Sequence, residues 1–216
     1  MNQNRRHVTH TLLALSLALA CSLSLAAPEA QLQAAQAQFQ AAAKGDSDAI
    51  EKSVETYTAL LKAEPGNPVL MAYLGAATTL RATTTMLPWK KMSHVEDGLA
   101  WLDKALVLLQ PQHDVPAPGQ VAASLETRFT AINTFLALPS MFNRGPRGAK
   151  LFGELLASPQ FAQAPLPFQG AVWMRAAKWA EQDKRPEDAR KFYQMVTERK
   201  APQAAQAGAQ LKALQS

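Results

Sequence analysis

Apolar positions in this chain recur at steps of three and four, the period of a helix face, and no stretch alternates in the manner of a strand. Gly45-Asp46-Ser47-Asp48 is a stop followed by an N-cap. From there a helix runs to about residue 63, with Ile50, Val54, Tyr57 and Leu60/Leu61 on one face. After the turn Glu64-Pro65-Gly66-Asn67-Pro68, a second helix covers 69–84, apolar around Leu70, Tyr73, Leu74, Ala77 and Leu80. Gly75 lies in its middle, where glycine costs roughly 1 kcal/mol against alanine, and this predicts a neighbouring helix in close approach. Residues 86–92 read as a loop. Ser93 with Glu96 has capping-box spacing and opens a helix toward Pro111 with Val95, Leu99, Leu102, Leu106 and Leu109 in step. A Pro-rich connector leads to a helix over 120–136, with Val121, Leu125, Phe129, Ile132 and Phe135/Leu136. A second loop, 138–147, precedes helices over 148–157, 167–182 and 186–199. Pro186 with Glu187 and Asp188 behind it is a strong helix start. The Ala/Gln-rich ends, 28–44 and 203–216, hold few large side chains and read as capping or frayed helices.

One phrase returns along this pattern. A small residue, three others and a large apolar or aromatic residue precede a proline: Ser53-x3-Tyr57 before Pro65, Gly98-x3-Leu102 before Pro111, Gly148-x3-Phe152 before Pro159, and Ala189-x3-Tyr193 before Pro202. Such a return every forty to fifty residues marks an α-helical repeat protein. The fold class expected is all-α, an α-solenoid of about four antiparallel helix pairs with inserted inter-helix loops, in a single domain over 28–216.

Trp173-x2-Ala176-Ala177-x2-Ala180, followed by Ala189-x3-Tyr193 and Pro202, resembles the tetratricopeptide repeat, as does Met71-x2-Leu74-Gly75-x2-Thr78. The resemblance covers about two-thirds of 28–216 in degenerate form. Family repeats run to about 34 residues, whereas Tyr57, Leu102, Phe152 and Tyr193 are 45, 50 and 41 apart, nearer the longer HEAT-type repeats. The matched positions are packing residues, so the resemblance implies a fold and a habit of binding proteins or peptides, not a ligand.

Residues 1–27 read as a signal peptide: Arg5 and Arg6, an apolar run over 11–25, then small residues at Ser24-Leu25-Ala26-Ala27. Export to a bacterial periplasm is the expected address. Cys21 is the chain's single cysteine. Its setting, Ala18-Leu19-Ala20-Cys21, leaves open a lipid anchor at Cys21 in place of a later cut. Nothing after residue 27 is apolar enough to span a membrane. Twenty-two Lys+Arg oppose 17 Asp+Glu, and Arg5 and Arg6 depart with the leader. The remaining excess, +3, is too weak to argue for nucleic acid.

No nucleophile elbow, phosphate loop or HExxH is present, and His94 and His113 lack metal-ligand spacing. The reading is therefore non-catalytic, with no cofactor and no metal. The candidate contacts are two Leu-Pro segments, one carrying Trp89, Lys90 and Lys91, the other Phe142, Arg144 and Arg147, which stacked repeats would bring to one edge. The alternative tucks Trp89 and Phe142 under their own loops. A groove along the first helices would draw on Tyr73, Arg81, Arg128 and Arg175, and could accept an acidic peptide or a terminal carboxylate. Trp101 and Trp173 read as core. The expected function is an adaptor for an envelope protein or peptide. The alternative is a periplasmic lipid- or glycan-binding protein, or a hydrolase, with a helical cavity.

Overall fold

The computed structural model describes residues 30–214, and the expected signal peptide at 1–27, with Cys21, lies outside them. The described residues are helical throughout, with no strand among them. The helices are α1 (30–42), α2 (Ser47–Ala63), α3 (Pro68–Leu80), α4 (Pro88–Val107), α5 (Ala123–Phe135), α6 (Gly145–Ala157), α7 (Pro159–Gln163), α8 (Leu166–Gln182), α9 (Pro186–Glu198) and α10 (Ala204–Ala213). Local chemistry accounts for most starts. Asp46 accepts the Ala49 N–H ahead of α2, Asn67 accepts those of Val69 and Leu70 ahead of α3, and Ser158 accepts that of Phe161 ahead of α7. Gly45, at φ 96°, turns the chain out of α1.

Both bounds of α4 differ from the sequence reading for physical reasons. α4 begins at Pro88, so residues 88–92 are helix rather than loop. Ser93 is no cap; its hydroxyl donates to Asp97 from within the helix, at 3.4 Å. Proline at the first helical position sacrifices no hydrogen bond, and this outweighed the capping-box spacing downstream. α4 also stops at Val107, short of Pro111, and a 3₁₀ turn over Pro111–Asp114 follows. The short α7, capped by Ser158, was not anticipated.

The recurrent phrase is buried at every position: Ser53 and Tyr57 on α2, Gly98 and Leu102 on α4, Gly148 and Phe152 on α6, Ala189 and Tyr193 on α9. Where the small member is glycine, another helix comes close to it. A methyl on Gly75 would stand 2.7 Å from the Gly98 carbonyl oxygen, and one on Gly98 would stand 2.5 Å from that of Gly75. At this crossing α3 and α4 therefore touch backbone to backbone. The crossing of α6 on α5 is looser: a methyl at Gly148 would meet the Leu136 and Phe135 side chains at 3.0–3.1 Å.

Neighbours in sequence are neighbours in space. α3 packs on α2, α4 and α5, α5 on α6, α8 on α9, and α9 on α10. α3 is consequently buried on almost every side, from Pro68 to Thr79 with only Tyr73 partly open. One core gathers Tyr57, Met71, Leu99, Leu102 and Phe135; a second gathers Leu125, Ile132, Phe152, Val172 and Trp173. α5 supplies residues to both and joins them. Trp173 is core as expected, but Trp101 is only half-buried, with Lys104 over its ring.

Gly75→Ala and Gly98→Ala should each lower the unfolding free energy by about 2 kcal/mol or more, because a rigid backbone oxygen occupies the methyl's place. Gly153→Ala, with nothing within 4 Å, should instead gain up to about 1 kcal/mol from helix propensity. Urea unfolding of the three variants checks the contrast.

Candidate binding surfaces

α5 carries a polar stripe at helical spacing, Glu126, Thr130 and Asn133, and each end of it meets a different part of the fold. At one end the Tyr73 hydroxyl of α3 and the Gln36 amide of α1 both donate to Glu126 Oε1, each at 2.9 Å. The Tyr73 ring lies parallel to that of Tyr57, centroids 5.1 Å apart, with Phe39 edge-on to both. Burial raises the Glu126 carboxyl above its ordinary value, and the donated hydrogen bonds offset this only in part. The tyrosine hydroxyls are pushed upward too, first by burial and then by Glu126. The Tyr57 hydroxyl is fully buried and has no hydrogen-bond partner among the described residues.

At the other end Arg175 of α8 donates from Nε to Asn133 Oδ1 at 2.9 Å. Burial lowers its guanidinium pKa. Arg175 has no carboxylate partner among the described residues, while other half-buried arginines do. Arg81 makes a two-pronged pair with Glu51, at 2.9 and 2.5 Å, and Arg128 stands 3.9 Å from Asp114. Glu51 is held below its ordinary value by the Arg81 hydrogen bonds. Between the stripe's ends Phe129 packs edge-on against Phe168 of α8 at 5.4 Å. Glu126 and Asn133, seven residues apart, are separated by about 10 Å along the axis.

The two Leu-Pro segments are not equivalent. Arg144 and Arg147 converge on Asp103 of α4, Arg144 at 3.0 Å and Arg147 at 2.5 Å, and both guanidinium groups lie 5.5 Å from the Phe135 ring centre. Phe142 is half-buried against the first core. These residues tie α6 to α4, and the cations Arg144 and Arg147 of the second Leu-Pro segment are paired within the fold. Trp89, by contrast, is 67% exposed, and Lys90 and Lys91 are exposed without ion partners among the described residues. Asp103 lies fourteen residues beyond Trp89 on one helix, about 21 Å away along its axis. The two segments therefore do not form one patch.

Two shallow grooves complete the surface. One, about 320 Å³, lies between the Glu64–Pro68 turn, His113 and Ala123; the other, about 280 Å³, has Trp179 and Phe192 among its walls and Arg185 and Lys191 at its rim. Neither includes Glu126 or Arg175. His113 accepts the Gln110 N–H on Nδ1 at 3.0 Å. No cluster of three potential metal ligands occurs among the described residues, and no described helix is long and apolar enough to cross a membrane.

Sequence reasoning found Tyr73, Arg128 and Arg175 but missed Gln36, Glu126 and Asn133. The available signal was the i, i+4, i+7 spacing of Glu126, Thr130 and Asn133, a polar stripe next to the apolar positions Leu125, Phe129 and Ile132. Comparison with family models, with curated proteins and with solved structures returned no match.

A carboxyl whose folded pKa is raised favours the fold only while protonated. Stability from Glu126 is complete below its ordinary value of 4.5 and falls as pH rises through the higher folded value. Glu126→Gln keeps an acceptor for Tyr73 and should melt higher than wild type at pH 7–8, the gap closing below pH 4.5. Glu126→Ala strands two donors and should lose about 1–3 kcal/mol at either pH. Thermal melts across pH check both.

Proposed function

We propose that this chain is a non-catalytic adaptor of the bacterial envelope, built as a tetratricopeptide-like α-solenoid. α1, α3, α5 and α8 are the first helices of its pairs, and α2, α4, α6 and α9 the second. The second helices use the small-x3-large phrase for packing. The first helices carry the polar groups: Gln36, Tyr73, Glu126, Asn133 and Arg175. The observation that carries the reading is Arg175, a half-buried arginine with an amide at Nε and no carboxylate on the fork. A guanidinium in that state offers two-pronged recognition to a carboxylate from outside the chain. The partner on this reading is an extended peptide segment, its acidic group on Arg175 and a hydrogen-bond donor toward Glu126 about 10 Å away. Exported chains meet such segments in the envelope, and the leader at 1–27 supports that address.

A second reading rests on Glu126 alone. A carboxyl raised by burial beside two tyrosines is a group that could give a proton, and it favours a hydrolase. Neither of the two grooves described above is lined by Glu126, so the adaptor reading is preferred.

Crosslinked capture from the cell envelope, read by mass spectrometry, tests the adaptor reading. Arg175→Gln should reduce capture of the principal partner about tenfold or more, and Arg175→Lys should restore only part, with helicity unchanged in both. Equal capture by Arg175→Gln and wild type would remove Arg175 from the interface and the reading with it.

A further inference from the structure

α4 overhangs its neighbours at one end. Pro88 lies ten residues ahead of Gly98, whereas Gly145 lies three ahead of Gly148, Pro186 three ahead of Ala189 and Ser47 six ahead of Ser53. Relative to α6 the overhang is seven residues, about 10 Å of helix. Residues 86–91 are exposed without a break, and they include three large apolar side chains, Met86 at 86%, Leu87 at 38% and Trp89 at 67%.

Several local rules are broken at this spur together. No side chain caps the helix start. Lys90 and Lys91 occupy the first turn, where the helix dipole already presents positive charge and disfavours cations. No acidic residue lies between Arg81 and Lys91; Glu96 and Asp97 come five and six residues after Lys91, about 8–9 Å deeper along the axis. An uncapped helix start, unpaired lysines and three exposed apolar side chains all oppose folding, and the other helices show no such combination at their starts. Each of these penalties is relieved by the same surroundings: an anionic, partly apolar surface.

We propose that the spur at 86–91 docks the protein on the surface of an anionic lipid bilayer. Trp89, Leu87 and Met86 enter the interfacial layer, the level at which tryptophan is enriched in membrane proteins. Lys90 and Lys91 pair with lipid phosphates above them. The spur is exposed throughout and only six residues long, whereas a stable protein–protein interface takes about 20–30 residues a side. A bilayer, which yields to a protruding tip, fits it better than a protein groove. Trp89 and two lysines make a modest, reversible contact, of the kind that serves as one of two membrane signals. Glu126 and Arg175 are on other helices, so partner capture and membrane docking are separable.

The test uses the protein as recovered from the cells that produce and process it. It is floated with vesicles of phosphatidylglycerol and phosphatidylethanolamine, and in parallel with phosphatidylcholine vesicles. Wild type should float with the anionic vesicles only, and its emission should be quenched by brominated anionic lipid. Lys90→Ser and Lys91→Ser should each reduce partition about fivefold. Trp89→Ser should reduce partition and abolish most of the quenching. Lys62→Ser, at an exposed site remote from the spur, should change neither. All of these spur positions are exposed, so the variants should fold, and circular dichroism confirms it. Equal flotation with both vesicle types, no flotation, or partition unchanged in the spur variants would overturn the proposal. So would a photocrosslinker at position 89 that captured one protein and no lipid in cells. Loss of Arg175-dependent capture with vesicle binding intact would count against the adaptor reading alone.

Discussion

The contact on which the rest of this structure depends is the crossing of α3 and α4, where Gly75 and Gly98 meet backbone to backbone. Any side chain at either place would drive the helices apart. Leu102, one turn beyond Gly98, would then leave its place against α3, and the buried sides of α3 would open together. α3 tolerates its nearly all-round burial because its buried threonine hydroxyls are satisfied within the helix. Thr78 and Thr79 donate to the carbonyls of Leu74 and Ala76, each at 2.7 Å. Gly148 against Phe135 and Leu136 repeats the device more loosely. A large side chain one turn after each small one fills the space the close approach leaves beside it.

The division of labour between helices follows from this packing. Residues of the small-x3-large phrase are consumed in the interior and have nothing left for a ligand. On the proposed reading, the groups used for recognition are polar side chains on α1, α3, α5 and α8. Arginines sort along the same line. Arg144 and Arg147 brace α6 against α4 through Asp103, Arg81 braces the end of α3 against α2 through Glu51, and Arg185 lies over Trp179 between Asp183 and Asp188. Arg175 has only an amide. The exposed start of α4 stands outside this scheme, since Trp89 is largely exposed and Lys90 and Lys91 have no ion partner among the described residues.

Much of the helical framework was legible in the sequence because packing leaves a local trace. Nine of the ten described helices were expected, α2 to α5 from their three- and four-residue steps and the others from composition, start signals and the recurrent phrase, and the small-x3-large spacing named eight buried residues on four of them. Gly75 was legible as a close approach because a mid-helix glycine needs a reason, though Gly98 as its counterpart was not. Boundaries were less legible where two start signals competed, as Pro88 and Ser93 did. The binding groups were least legible, because their partners are far away in sequence. Gln36 and Glu126 are 90 residues apart, Tyr73 and Glu126 are 53, and Arg147 and Asp103 are 44. No local pattern distinguishes an arginine that will find Asp103 from one that will find only Asn133. Only the fold brings those pairs together.

Native-state hydrogen exchange, read residue by residue, tests the central claim most directly. If the α3–α4 crossing holds the fold together, the slowest amides belong to the middle of α3 and to α4 around Gly98 and Leu102, opening only with global unfolding. The first turn of α4, from Trp89 to Lys91, exchanges orders of magnitude faster on the same helix. Exchange in α3 as fast as in that exposed turn, or a stability maximum in α8 and α9 instead, would contradict the account.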